Sequence, residues 1–337
     1  MASSNIPERM RAIRVPETGE IDVISAQDIA VPEPGADEVL IKVSWAGVNY
    51  IDTYQRSGLY TLPLPFTAGM EAAGKVVKFG KDADDSSLKV GDAVAAYALG
   101  AYAEYMTVKR EKVVKLPDGV SEKDGATAIL QGLTAWTLLH EAYQVKKGDA
   151  VLIHAAAGGV GLLLCQMASY LGATVIGTVS TEEKAALAKS NGASHVINSK
   201  SGGAAVVDEV LKLTKGEGVQ GIYDGVGKDT WEDGFKMIAR KGTIVSFGNA
   251  SGAVPPFPVL KLAAKNTKVV RPTLNNSILT RQELETYSAQ LFDLLAKKLV
   301  KLRVHKEYPF SAEGVQQTQK DITSRATTGK LLIKVQQ

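Results

Sequence analysis

A short apolar run that leads through a glycine-rich turn into a helix constrains the fold of this chain more than any other feature. Residues 150–154 (Ala-Val-Leu-Ile-His) are followed by Ala155-Ala-Ala-Gly-Gly-Val-Gly161 and by a small-residue helical pattern that reaches Leu171. Glycines in such a turn let a pyrophosphate approach the backbone and let the helix pack on the strand, while the helix N-terminus offers amides to the anion. Ala156 replaces the first glycine of the usual G-x-G-x-x-G, so the flanking strand and helix carry the prediction of a dinucleotide site. The alternative is a tight turn that binds no ligand.

Apolar runs and helical patterns alternate around this turn. Further apolar runs occupy residues 174–179, 195–197, 219–223 and 243–247, with helices predicted at 182–190 and from Thr230 onward. Apolar strands that alternate with helices indicate a parallel sheet buried on both faces. The first third instead reads as short strands separated by Gly and Pro, and the chain ends on a further strand at 330–335. We predict an α/β protein with a β-rich domain (residues 1–125 and 271–337) and an inserted Rossmann domain with a doubly wound parallel sheet (residues 126–270).

The stretch Lys-x-Gly-Asp-Ala-Val occurs twice, at residues 89–94 and 146–151. An internal repeat would explain the recurrence. We predict instead that the same turn is used twice, with Gly-Asp reversing the chain before a strand.

Composition excludes several classes of protein. The net charge is +3, from 39 basic and 36 acidic residues, which gives no strong field for a polyanion. The single cysteine, Cys165, excludes an intrachain disulfide and is typical of a reducing compartment. Residues 1–10 have no apolar core of a secretory signal, and no apolar run is long enough to cross a bilayer. We predict a soluble cytoplasmic protein, with a nuclear or organellar pool left open.

The residues after the second apolar run bear on the choice of nucleotide. An NAD-preferring protein places Asp or Glu there to bind the ribose 2′-hydroxyl. Here Val179 is followed by Ser180-Thr-Glu-Glu-Lys184. Ser180 and Lys184 can donate to a 2′-phosphate, which favours NADPH, although Lys184 can also be read as a solvated helix lysine and the two glutamates weaken the argument.

Six segments of the chain recur together in one known family. They are residues 49–60, 68–74, 130–135, 155–161, 245–252 and 324–330. In this order they resemble the quinone oxidoreductases of the zeta-crystallin type, in the medium-chain dehydrogenase/reductase superfamily, over nearly the whole chain. The resemblance implies a GroES-like β-rich catalytic domain, a Rossmann domain and an active cleft between them. It also implies a homodimer, or a tetramer of paired dimers, joined at sheet edges near residues 268–270.

The resemblance also identifies the positions that hold catalytic zinc in other members of the superfamily. Zinc alcohol dehydrogenases have Cys where this chain has Asn49 and His where it has Met70, beside Glu71. A neutral amide and a thioether are poor zinc ligands, and one cysteine cannot build a structural zinc site. We predict no metal. A quinone or a conjugated enone delocalises the charge left by hydride addition, so hydrogen-bond donors in a dry site suffice.

Matching to the family motifs assigns the candidate site residues. Asn49, Tyr54 and Tyr60 are expected at the nicotinamide end, where the tyrosines donate a hydrogen bond to the oxyanion or stack on a planar substrate. Packing at a domain seam is the alternative for either tyrosine. Expected cofactor-binding residues are Tyr50, Asp52, Gln131, Thr134, Gly158, Gly159, Val160, Ser180, Thr181, Lys184, Ser199, Phe247, Gly248, Asn249, Ser251, Arg271 and Arg325. Gly225 stands where related enzymes often have Ser.

Three functions remain open on the sequence. The first is NADPH-dependent reduction of small quinones. The second is NADPH-dependent reduction of an alkenal or enone double bond. The third is accessory AU-rich RNA binding by an NADPH-binding protein, for which the chain has no Arg/Gly-rich tail and no aromatic RNA-binding signature.

Overall fold

The structure is a computed structural model that describes residues 6–83 and 87–336. Residues 1–5, the start of the segment read above as lacking a secretory signal, lie outside the described residues. Two compact units share the chain. The first contains residues 1–130, 280–296 and 302–337, and the second contains residues 131–279 and 297–301.

The elements are numbered in chain order. The strands are β1 (Arg9–Val15), β2 (Ser25–Ala30), β3 (Glu38–Val48), β4 (Phe66–Thr67), β5 (Glu71–Phe79), β6 (Ala93–Tyr97), β7 (Tyr105–Lys109), β8 (Val113–Lys115), β9 (Ala150–Ile153), β10 (Thr174–Val179), β11 (His195–Asn198), β12 (Val219–Asp224), β13 (Ile238–Ser246), β14 (Lys268–Val270), β15 (Val304–Pro309) and β16 (Lys330–Lys334). The helices are α1 (Tyr50–Ser57), α2 (Glu122–Thr137), α3 (Gly159–Tyr170), α4 (Glu182–Ser190), α5 (Gly203–Leu213), α6 (Trp231–Met237), α7 (Leu274–Ser277), α8 (Arg281–Ala296) and α9 (Ala312–Thr323).

The second unit is built on a parallel sheet in the order β11-β10-β9-β12-β13-β14. Its middle strands carry Val151, Leu152, Ile153 and Ile222 with no exposed surface. Strands buried on both faces read as continuous apolar runs, which is why the sequence pattern identified them. The predicted doubly wound parallel sheet is confirmed.

The first unit is dominated by antiparallel pairing. One sheet has the order β15-β16-β3-β5-β6-β8, with β7 also paired to β3, and a smaller sheet has the order β2-β1-β4. The parallel pair β15–β16 is the exception to the antiparallel pairing. A core of buried side chains, including Ile13, Val43 and Ile333, fills this unit.

The limits of the units differ from the predicted domain limits after residues 125 and 270. The first boundary falls inside α2, between Leu130 and Gln131, and the second lies between Leu279 and Thr280. Residues 297–301 return to the second unit. There the Gln166 side chain donates to the Lys301 carbonyl (3.1 Å) and accepts from the Lys301 amide (2.8 Å). The predicted limits followed changes of sequence pattern, which mark only where an element ends. The return of residues 297–301 to the second unit depends on hydrogen bonds between residues far apart in the chain, which no local pattern shows.

The two Lys-x-Gly-Asp-Ala-Val stretches adopt the same turn, as predicted. Gly91 and Gly148 have φ of +93° and +91°. Asp92 and Asp149 each accept a hydrogen bond from the amide three residues earlier, at 2.9 Å and 2.8 Å. Left-handed backbone favours glycine, and the aspartate closes the turn before the strand.

Candidate functional site

The predicted phosphate turn lies at the carboxyl end of β9 in the second unit. Gly158 is the N-cap of α3, and no side chain caps the helix there. The first amides of a helix have no partner within it and carry the positive end of its dipole, so this end suits an anion. A methyl group at Gly161 would overlap the Ala155 carbonyl oxygen and come within 2.9 Å of the Ala156 backbone, whereas one at Gly158 would meet only the Ala155 oxygen, at 3.2 Å. Gly161 therefore allows α3 to pack closely against the turn. Beside Gly158 there is space for a ligand to approach the backbone.

Gln131 packs directly against the start of α3. A methyl group at Gly159 would overlap the Gln131 side-chain amide. Two residues predicted at the cofactor, Gln131 and Gly159, are therefore neighbours in the folded unit. Thr134 lies one turn further along α2.

Polar side chains collect where β10 and β11 end. The Thr181 hydroxyl caps α4 by accepting from the Lys184 amide (3.3 Å). The Ser199 hydroxyl donates to the Val179 carbonyl (3.0 Å). Burial lowers the pKa of Lys184; the Glu183 carboxylate opposes this shift, and the nearby Lys200 ammonium adds to it. Two cations at the end of β10 make this corner suitable for a phosphate, and Lys200 was not identified from the sequence.

The loop after β13 packs on the turn after β12. A methyl group at Gly225 would lie 2.9 Å from the Phe247 ring, and one at Gly248 would lie 2.9 Å from Gly225 Cα. The Ser251 hydroxyl donates to the Val226 carbonyl (2.9 Å). Gly225 and Gly248 are thus required by this loop packing, a role that sequence reasoning missed because it depends on two distant turns meeting.

Arg271 anchors the segment that follows β14. Its Nη1 donates to the Ser246 carbonyl (2.9 Å), the last residue of β13. Asn249, with Phe247, lies in the loop directly after that strand. The predicted residues of the second unit from Gln131 to Arg271 therefore lie at or beyond the carboxyl ends of its strands or on the adjoining helices, where open α/β sheets bind ligands.

In the first unit, α1 and the residues after it hold a row of tyrosines. The ring centroids of Tyr50 and Tyr54 are 5.5 Å apart, and those of Tyr54 and Tyr60 are 5.1 Å apart, all tilted. Burial raises the pKa of Tyr50, and the Arg325 guanidinium partly offsets the increase. The predicted residues Tyr50, Tyr54, Tyr60 and Arg325 are thus grouped in this unit.

A buried ionic cluster lies at the start of α1. The Lys330 ammonium donates to Asn49 Oδ1 (2.8 Å) and to Glu71 Oε1. Asn49 Nδ2 donates to Glu71 Oε1 (2.6 Å), and the Leu130 amide donates to Glu71 Oε2 (2.8 Å). Lys330, Glu71 and Asn49 are only 1%, 0% and 3% exposed. The Asn49 amide is therefore directed into the unit, and sequence reasoning assigned no role to Lys330 or Glu71.

Asp52 adjoins this cluster on the first turn of α1. Its Oδ2 accepts from the Asn49 amide (2.9 Å) and from the Tyr102 hydroxyl (2.5 Å). Oδ1 is buried and has no hydrogen-bond partner among the described residues. Burial raises the pKa of Asp52 to about 6, against the lowering effect of the Tyr102 hydrogen bond.

The residues at the superfamily's zinc positions do not fit a metal ion. Asn49 is bonded to a lysine ammonium, which would repel a dication, and Met70 Sδ accepts from Gln55 Nε2 (3.1 Å). Within residues 6–83 and 87–336 no three His, Cys, Asp or Glu side chains are arranged to hold a metal. Cys165 is buried, and burial raises its pKa to about 12, so it serves as a packing residue.

The chain is similar to known proteins over most of its length. Residues 35–118 match the alcohol dehydrogenase GroES-like domain, and residues 159–294 match the zinc-binding dehydrogenase family. A probable quinone oxidoreductase of Schizosaccharomyces pombe is 42% identical over 95% of this chain and 96% of its own length. The Escherichia coli quinone oxidoreductase, solved in complex with NADPH, superposes with a TM-score of 0.92 at 39% identity, covering 96% of this chain and all of that one. A 2-haloacrylate reductase of Burkholderia is 35% identical over 91% of this chain and 93% of its own length.

Proposed function

Because this chain belongs to the quinone oxidoreductases of the medium-chain dehydrogenase/reductase superfamily, we propose that it transfers a hydride from NADPH to small quinones. The observation that carries the proposal is the turn between β9 and α3, where Gly161 is required by packing and Gly158 leaves space at an uncapped helix start. This arrangement suits the pyrophosphate of a dinucleotide.

The end of β10 supports NADPH over NADH. Residue 180 is Ser rather than a carboxylate, and Lys184 and Lys200 stand nearby. The 2′-phosphate would be held by Ser180, Thr181, Lys184 and Ser199, and the pyrophosphate by Gly158, Gly159 and Val160. Gln131, Thr134, Phe247, Gly248, Asn249, Ser251 and Arg271 remain predicted contacts in the second unit, as do Tyr50, Asp52 and Arg325 in the first.

Bound NADPH supplies the hydride. Tyr54 and Tyr60 offer hydroxyl donors and aromatic faces to a planar acceptor, and their tilted rings lie within stacking distance of each other. A quinone spreads the added charge over an aromatic hydroquinone anion, so neutral donors are enough to stabilise it. Asn49 was also predicted at this end, and its amide is held by Lys330 and Glu71.

Reduction of an activated double bond is the second candidate. The Burkholderia relative named 2-haloacrylate reductase is similar over most of this chain, and a conjugated alkene delocalises the added charge as an enolate. RNA binding receives no support from the relatives described above.

Turnover of 1,2-naphthoquinone and of a 2-alkenal, measured by NADPH consumption, distinguishes the two reactions. We expect saturable reduction of the quinone at the higher kcat/KM, with heat-inactivated protein as the control for direct chemical reduction. Turnover of the alkenal alone would reverse the order of the two candidates, and no saturable binding of any pyridine nucleotide would refute both.

We also propose a homodimer formed through the free edge of β14. In the described sheet of the second unit this strand pairs with β13 on one side, and an open strand edge is a template for pairing. A tetramer of such dimers stays a prediction, as does a cytoplasmic location. No helix among the described residues is long and apolar enough to cross a membrane.

A further inference from the structure

The buried cluster of Lys330, Glu71 and Asn49 is more elaborate than packing requires. Desolvating an ammonium and a carboxylate is costly, and a buried ion pair can be replaced by apolar side chains of similar volume without loss of stability. Here both charges are withdrawn from solvent beside the apolar core side chains Val48, Leu331 and Ile333, and Asp52 is a further buried carboxyl group next to them. The cluster therefore contributes something other than net stability.

Its hydrogen bonds determine how the Asn49 amide is oriented. Oδ1 faces the Lys330 ammonium (2.8 Å) and Nδ2 faces Glu71 Oε1 (2.6 Å). Rotating the amide by 180° would set its NH2 group against the ammonium and its oxygen against the carboxylate. The two charges thus select one orientation of the residue that caps the N-terminus of α1.

The cluster also joins four segments of the first unit. Glu71 begins β5 and accepts from the Leu130 amide of α2, while Lys330 begins β16. Gly47 on β3 leaves space for the Glu71 carboxylate beside α2. A methyl group at Gly47 would overlap that carboxylate and lie 2.6 Å from the Ala126 carbonyl oxygen.

Two of the predicted ligand-contacting segments end at this cluster. Asn49 precedes the helix that carries Tyr50 and Tyr54. Lys330 closes the loop that carries Arg325, whose φ is +62°. The Arg325 guanidinium lies near enough to Tyr50 to oppose the rise of its pKa on burial, so the two segments also approach each other.

We propose that Lys330 and Glu71 are positioning residues for hydride transfer, which hold the Asn49 amide and thereby the start of α1 and the end of the Arg325 loop. This inference rests on the proposed function. It assigns neither residue a contact with substrate.

The test compares Lys330→Met, Glu71→Gln and the double variant with two controls on β16. Ile333→Val removes a methyl group from a fully buried site, and Lys334→Met removes an exposed lysine. We expect Lys330→Met and Glu71→Gln to lower kcat for quinone by about tenfold or more, with the Kd for NADPH changed less than about threefold because most predicted nucleotide contacts lie in the second unit. Both controls should keep kcat within about twofold.

The double variant separates positioning from stability. It removes both charges of the Lys330–Glu71 pair, so neither is left buried without the other, and its resistance to urea should recover relative to Lys330→Met. Its kcat should stay low, because the amide of Asn49 has lost its charged donor. If Lys330→Met fails to fold, the kcat of the double variant alone tests the positioning role.

Two outcomes would overturn the inference. In an active wild type, a double variant with wild-type kcat and quinone KM would show that the cluster is only structural. A wild type that turns over neither quinone nor alkenal would refute the proposed function, and the positioning role with it.

Discussion

Asp52 shows how one buried carboxyl group can make stability depend on pH. It accepts hydrogen bonds from the Asn49 amide and the Tyr102 hydroxyl, yet burial dominates and raises its pKa to about 6. The same burial, with the adjacent Asp52 charge, raises the pKa of Tyr102 well above its usual value. Protonation of Asp52 is therefore easier in the folded chain than in the unfolded one, where a carboxyl of this type titrates near 4.

The sign of the resulting pH dependence follows from linkage. Between about pH 4 and pH 6 the folded state binds more protons at Asp52 than the unfolded state, so this contribution to stability is present at low pH and is lost as pH rises to about 6. We expect the free energy of unfolding of wild type, relative to that of Asp52→Asn, to fall by roughly 2 kcal/mol over this range. Urea unfolding of both proteins at pH 4.5 and pH 7 measures it. A difference independent of pH would contradict the prediction.

Lys184 is the side chain on which the choice of nucleotide most depends. It lies on the first turn of α4, and its pKa is lowered by burial and by the nearby Lys200 charge. A 2′-phosphate would neutralise this pair of cations. The sequence identified Lys184, and the structure added Lys200.

We expect Lys184→Ala to weaken NADPH binding about tenfold while leaving NADH binding within about twofold, because only NADPH has the 2′-phosphate. Fluorescence titration of both nucleotides measures the effect. Lys189→Ala, an exposed lysine on the same helix, is the matched control. An unchanged ratio of the two Kd values in Lys184→Ala would rule out this role for Lys184.

At the scale of elements, close approach of backbones decides where glycine is required. Gly161 on the first turn of α3 faces the Ala155 carbonyl, whereas Gly234 within α6 faces only Ile244 Cδ1 at 3.5 Å and Ile222 Cδ1 at 3.8 Å. Both are helical glycines, so the sequence does not distinguish them. Their surroundings do.

Gly161→Ala should lower the free energy of unfolding by about 1–3 kcal/mol and weaken NADPH binding, because α3 must move away from the turn. Gly234→Ala should be neutral or stabilising by about 0.5–1 kcal/mol, since alanine favours the helix and has room. Urea unfolding and nucleotide titration report both effects. Equal destabilisation by the two substitutions would show that overlap at Gly161 is not the cause.

At the scale of the whole molecule, the second unit exposes apolar side chains ahead of its edge strand. Val259 and Leu260 are 74% and 82% exposed, and β14 follows a few residues later. Large exposed apolar groups are typical of an interface between subunits.

We expect the wild type to sediment as a dimer and Leu260→Asp to shift it toward monomer, because a buried unpaired charge at an interface is costly. Leu59→Asp changes an exposed leucine of the first unit, 54% exposed, and should leave the mass unchanged. Sedimentation velocity measures all three proteins. A wild-type monomer would contradict the proposed dimer.

The parts of the site that sequence patterns predicted are those that depend on neighbours in the chain. The turn at 155–161, the run after Val179 and the repeated Gly-Asp turn each combine residues that are adjacent in sequence. The cluster of Lys330, Glu71 and Asn49 spans 281 residues, and Gly225 packs against Phe247, which lies in the loop after another strand. No local pattern indicates such partners.

The sequence by itself determined the class of this protein, because hydrophobic periodicity and turn chemistry act over a few residues and leave a readable pattern. It indicated the parallel sheet, the nucleotide turn and the unsuitability of Asn49 and Met70 as zinc ligands. Only the tertiary structure decided which charged groups are withdrawn from water and which backbones meet. Burial and distance are properties of the folded chain, and they gave Lys330, Glu71 and Asp52 the environments on which their roles depend.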